Sequence, residues 1–302
     1  MARLALQFLF LKIKPTMRHL QILLIFLFLN SLVIAQETKT QDSIKSWHKE
    51  GKATLLFNQS SFSNWISGGE NAIAANLNFN YIFNYKKGNW TWNNTVKANY
   101  GLNYTNTNGT RKTEDRVELN TLIGYKKDKN WYYSFFFNFQ TQFANGYDYK
   151  KDPEAKIPIS KSFAPAYLNF GPGVFYEKTE NLKINISPAT SKITIVTDDD
   201  LSSLGAFGLS PGEKIKHDLG FSTSVFHKTI ILENVEMVNN LNLYANYFNN
   251  FKNIDFDYQL KFVMTVNKYI STNINFQAIY NDEALARLQF KEVFGIGINY
   301  NL

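Results

Sequence analysis

From Tyr81 to Tyr104 the chain reads YIFNYKKGNWTWNNTVKANYGLNY, and one side of its two-residue alternation is almost wholly apolar. Tyr81, Phe83 and Tyr85 lead into a KKGN turn, and Trp90, Trp92, Val96, Ala98, Tyr100, Leu102 and Tyr104 follow at every second position after it. The other parity carries Asn84, Thr91, Asn93, Thr95, Lys97, Asn99 and Asn103. Successive strand residues point to opposite faces, so this hairpin has one apolar, aromatic face and one wet face. A soluble sandwich would bury the apolar face as a core. Here the same polarity recurs to Leu302 in runs long enough to cross a bilayer, the pattern of a transmembrane antiparallel β-barrel with lipid outside and a polar lumen inside.

About twelve such runs can be laid out after Gly51, starting near Lys52, Ala72, Asn89, Asp115, Asn130, Ala164, Asn181, Lys216, Asn240, Asp255, Ile270 and Leu288. KKGN, KKDKN, EKTEN and NKY are tight gaps. NWISGGEN, TNTNGTRKTE, NGYDYKKDPEAKIPISKS and TDDDLSSLGAFGLSPGEKI read as long ones. Outer-membrane barrels turn tightly on the periplasmic side and carry longer external loops, so the alternation predicts an orientation with both termini in the periplasm. Two places are less regular. Pro188 interrupts the seventh run, and HKTIILENVEM is apolar for a turn, so the count around 181–235 is open by two.

Parity also sorts the charges. Lys97, Arg116, Glu118, Gln140, Asp257, Lys261 and Gln277 fall on the wet face and are the candidate lumen lining. Glu292 shares parity with Phe290 and Phe294, which places it near the outer rim unless the last strand starts after it. Tyr85, Trp90, Trp92, Tyr125, Trp131 and Tyr176 lie beside the short turns, and Tyr104 and Tyr280 lie toward the loops. These are the expected interfacial girdles.

Residues 1–35 carry Arg3, Lys12, Lys14 and Arg18, then an apolar run ending in Val33 and Ala35, which reads as a signal peptide cleaved before Gln36. Residues 36–50 then form a short periplasmic extension and 51–302 the barrel. Removing that leader takes four charges from the formal +7 and leaves +3, spread among acids. No basic patch or recognition motif indicates nucleic acid. The chain has no cysteine.

The Trp65–Asn71 loop, LKINISPATSK, FGLSPGE, IYNDEA and the GIGINY ending resemble an uncharacterised family of Bacteroidetes outer-membrane barrels, domain of unknown function family 3078. The resemblance spans Trp47 to Leu302 and implies a fold and a membrane, not an activity. The closing FKEVFGIGINYNL resembles the terminal signal read by barrel-assembly machinery, so that machinery and outer-membrane lipid are the expected partners.

Catalytic, metal and cofactor sites are not expected. His217, with Asp218 beside it and Ser222 and Ser224 beyond, is the nearest approach to a hydrolase, but both serines have lumenal parity. The acids at Asp198–Asp200 and Asp282–Glu283 lack the spacing of a calcium loop. Gly68 and Gly69 have no lysine or helix to make a phosphate cradle and read as a tight turn. Three functions remain: a small-solute channel or uptake component with a polar lumen, a docking barrel with a closed lumen and partner-binding loops, and a lipid hydrolase. The first is the leading expectation.

Overall fold

The computed structural model describes residues 46–62, 70–249, 251–282 and 285–302. The leader and most of NWISGGEN, with Trp65, Gly68 and Gly69, lie outside the described residues, as does Glu283. The strands are β1 (Trp47–Ser60), β2 (Ala72–Lys87), β3 (Trp90–Thr105), β4 (Gly109–Asp128), β5 (Trp131–Thr141), β6 (Gly146–Tyr147), β7 (Pro158–Ser160), β8 (Ala166–Thr179), β9 (Leu182–Ile195), β10 (Ile215–Leu232), β11 (Val235–Asn246), β12 (Ile254–Thr265), β13 (Ile270–Asn281) and β14 (Leu285–Asn301). All except β6 and β7 join in one closed ring, each pair antiparallel. The ring closes where Lys52 to Phe57 of β1 face Asn301 to Ile296 of β14. This is a twelve-stranded transmembrane β-barrel. Closure leaves no sheet edge at the ends of the chain, the condition for putting strands in lipid.

Cross-strand partners share a face, and their identities show why the sheet curls with its apolar side outward. Leu77 faces Tyr100, Phe79 faces Ala98 and Tyr81 faces Val96, while the alternate pairs are Asn78 with Asn99 and Asn80 with Lys97. The outer set stays exposed, including Leu77, Phe135, Phe294 and Ile298. In water that surface would be a large aggregation patch. In a bilayer it is solvated by acyl chains.

Short turns collect at one end, where residues 88–89, 129–130, 180–181, 233–234 and 266–269 join strands. Gly88 holds a φ of 58°, a left-handed value that favours glycine in so tight a turn. Three expected boundaries change. The TNTNGTRKTE segment is not a long loop, because β3 and β4 run on to a turn at residues 106–108. Its alternating polar residues pair normally beyond the apolar zone, so strand continues where hydropathy stops. The ninth barrel strand, β11, starts at Val235 rather than near Asn240, and Glu233 and Asn234 make an ordinary tight turn. That settles the count at twelve. The first strand begins at Trp47, ahead of Gly51.

Pro188 does not break β9. It sits where the register slips against both neighbours, between Phe170 and Val174 on β8 and between Gly220 and Ser222 on β10. A bulge absorbs the missing amide. Gly171 and Gly173 of β8 lie against the backbone carbonyls of Ala189 and Ile186, leaving no space there for a Cβ. Glu292 lies inside β14, opposite Phe276 and exposed on the outer face, so the strand does not start after it.

Candidate functional site: a bridged lumen

The wet face is not a row of free groups. Arg116 on β4 places its guanidinium 2.9 Å from Glu118 and 2.8 Å from Asp257 on β12. β4 and β12 stand six places apart in a ring of twelve, which makes them opposite walls. Two side chains therefore span the bore. The remaining oxygens are also committed: Gln277 donates to Asp257 Oδ1 at 2.8 Å, and Asn120 donates to Glu118 Oε1 at 2.7 Å. From Asn120 the chain of amides continues to Asn138 and then Asn169, across β4, β5 and β8. Arg suits this position because its planar fork reaches two carboxylates at once.

Further ion pairs lie toward the loop end. Lys291 of β14 meets Glu114 of β4 at 2.5 Å, and Lys192 of β9 meets Asp255 of β12 at 3.0 Å. Lys112 and Asp115 pair at 2.7 Å, and Asp115 also accepts from the amides of Phe143 and Ala144, which ties the β5–β8 connection to the barrel rim. Toward the short-turn end, Lys97 and Lys261 make no such bridge among the described residues. Gln140 lies beside Glu118 in the register.

The aromatic residues stand at the strand ends. Trp47 packs on Tyr85 and Trp92, Trp90 on Tyr125, and Trp131 on Tyr176, at centroid distances of 4.8 to 5.7 Å. Trp92 also donates its indole N–H to Thr121. Tyr280 packs on Phe256 toward the loop end, and Tyr104 is exposed beside Ile73.

Above the rim, the connections at residues 142–165 and 196–214 fold together. Helix α1 (Asp199–Ser203) is capped by Asp198, which accepts from Leu201 N–H. Ala164, Val196, Leu201 and Leu209 form a buried core between the two connections. Lys161 clasps Asp198 at 2.7 Å and Asp200 at 3.0 Å, while Lys214 takes Asp199. The acidic run is thus neutralised by lysines. Those hydrogen bonds hold the Asp198 carboxyl below its ordinary value and the Lys161 ammonium above its own. Among the described residues no group of acids and histidines is arranged to hold a metal.

Sequence parity missed one contact. His217 Nε2 lies 2.5 Å from Ser191 Oγ, and both belong to the outer face of the barrel. Ser191 escaped notice because it is on β9, beyond the Pro188 bulge, and 26 residues away in sequence. A serine and an imidazole are two parts of a nucleophilic site. No described carboxylate or amide orients the imidazole from its other nitrogen, and Asp218 turns to the lumen toward Asn246 and Lys216. A hydrogen-bonded rim pair is what the geometry supports.

Residues 57–147 match the family model described as "Protein of unknown function (DUF3078)". The match runs from the end of β1 to β6. Similar solved structures include an outer membrane channel from Pseudomonas putida F1, 10% identical over 88% of this chain and 99% of that one, with a TM-score of 0.40. The translocator domain of the autotransporter NalP from Neisseria meningitidis is 10% identical over 94% and 96%, with a TM-score of 0.38. Outer membrane phospholipase A from Escherichia coli is 10% identical over 87% and 94%, with a TM-score of 0.39. No curated protein matches the sequence.

Proposed function

We propose that this protein is an outer-membrane barrel whose lumen is shut by its own side chains and whose ordered external loops dock a partner. The observation that carries the reading is the Arg116 to Asp257 bridge between opposite walls. An open pore, the leading expectation from sequence, needs unpaired groups along a continuous aqueous path. Here each oxygen of Asp257 and Glu118 already has a donor, so the polar lining is spent on closure.

The loops support docking. Their two connections share a core and a Lys161 clasp, yet Ile157, Ile159, Phe163 and Leu204 remain 54% to 76% exposed. Apolar side chains displayed on a rigid frame cost little ordering entropy when a partner covers them. The first barrel strand begins and the last one ends at the short-turn side, and the rule relating turn length to orientation supports reading that side as periplasmic.

Recording from purified protein in a planar bilayer tests the reading. Wild type is expected to insert without conductance steps, and the pair Arg116→Ala with Asp257→Ala to conduct. Sustained steps from wild type would overturn the closed lumen. A gated small-solute passage is the second reading, favoured by the lysines left without bridges below Asp257. It predicts rare bursts from wild type that stop when the two walls are cross-linked.

A further inference from the structure

Below the Arg116 bridge the lumen changes character. Lys52 of β1, Asn80 of β2 and Lys97 of β3 are consecutive partners across the sheet, so their side chains stand in one row on the lumenal face. Lys261 reaches the same space from β12, where Lys52 and Lys97 both repel its charge. All three lysines are half-buried. Like charges converging in a confined lumen are costly unless something answers them.

The nearby carboxylates are already engaged. Glu118 faces Lys97 in the register, but Arg116 and Asn120 take its two oxygens. Glu236 attracts Lys261 from β11, yet it stands 2.6 Å from Lys228. Between the two lysines of the row, the Asn80 side-chain oxygen is buried without a hydrogen-bond partner. The site therefore offers three ammonium donors and one acceptor, two of the donors and the acceptor standing in one cross-strand row and the third near enough to feel both their charges.

We infer that Lys52, Lys97, Lys261 and Asn80 form a binding site for a small oxyanion that keeps a proton, hydrogen phosphate being the simplest. Its oxygens accept from the ammonium groups and its O–H donates to Asn80 Oδ1. Sulfate has the oxygens without the proton and binds less well. This goes beyond the docking role, because a blind vestibule under the bridge can bind an anion whether or not anything crosses the bridge.

The test is equilibrium dialysis of inorganic phosphate against the full barrel in detergent at low ionic strength, with folding checked by heat-modifiable gel migration. Wild type is expected to bind phosphate saturably and more tightly than sulfate. Lys97→Gln with Lys261→Gln should weaken binding by about tenfold or more, the scale of lost charge-assisted hydrogen bonds. Lys97→Arg with Lys261→Arg should largely retain it. If the glutamine pair does not fold, Lys52→Gln alone is read in the same way. No saturable phosphate uptake by wild type, or unchanged binding in folded glutamine variants, would overturn the site. Sulfate binding as tight as phosphate would overturn the part given to Asn80.

Discussion

Arg116→Ala isolates the closure of the lumen as a stability effect. The guanidinium, Glu118 and Asp257 are 13%, 8% and 17% exposed, so the charges it leaves behind are not rescued by bulk water. Removing one partner of a buried ion pair costs about 3 to 5 kcal/mol, because the remaining charge stays desolvated. Asp257 keeps Gln277 and Glu118 keeps Asn120, which places the expected loss near the lower end, about 3 kcal/mol. Urea titration of folding into lipid vesicles, followed by tryptophan fluorescence, measures it. Arg116→Met combined with Asp257→Leu should be less damaging than Arg116→Ala, since it leaves one buried carboxylate, Glu118, without its arginine instead of two. A single-variant cost below about 1 kcal/mol is what an exposed surface pair gives, and would refute the bridge.

Ala98 faces Phe79 on the outer side and Asn99 faces Asn78 on the inner side, so Ala98→Arg should cost about 2 to 4 kcal/mol of folding into bilayers and Asn99→Arg less. Equal costs would contradict the assignment of faces. For orientation, a cysteine at Asp152 should react with an impermeant maleimide on intact cells and one at Asp128 should not; the reverse would invert the barrel. The loop clasp has a sign in pH. Asp198 is lowered, so its contribution is present above the unfolded carboxylate value and is lost as pH falls through its lower folded value. Lys161 is raised, so its part holds below the unfolded ammonium value and is lost as pH rises through the folded one. The hydrogen-exchange protection of the 196–214 connection, relative to intrinsic exchange at each pH, should be highest near neutrality and fall in strong acid and in strong base, and Asp198→Asn should lower it at neutral pH.

The barrel is legible in sequence because two-residue alternation reports a local property: which side of the sheet meets lipid. Strand ends were less legible. The TNTNGTRKTE segment is polar on both faces, so only its pairing across residues 106–108 reveals it as strand. At HKTIILENVEM the opposite holds: apolar residues on both faces hide a tight turn at Glu233 and Asn234. The lumen was legible as a composition but not as a state. Arg116 and Asp257 are 141 residues apart, and nothing local says that their strands become opposite walls. Ser191 shows the same limit, since a bulge at Pro188 resets the parity by which its face is counted.

Closure across the bore is most directly measured by chemical cross-linking. The chain has no cysteine, so Arg116→Cys with Asp257→Cys introduces the only two thiols. In folded protein a short bis-maleimide should join them within one chain and change its migration on a denaturing gel, as it should for the neighbouring-strand control Asn80→Cys with Lys97→Cys. Cross-linking of the control pair without cross-linking of the opposite-wall pair would show that the walls stand apart, and the closed lumen would be wrong.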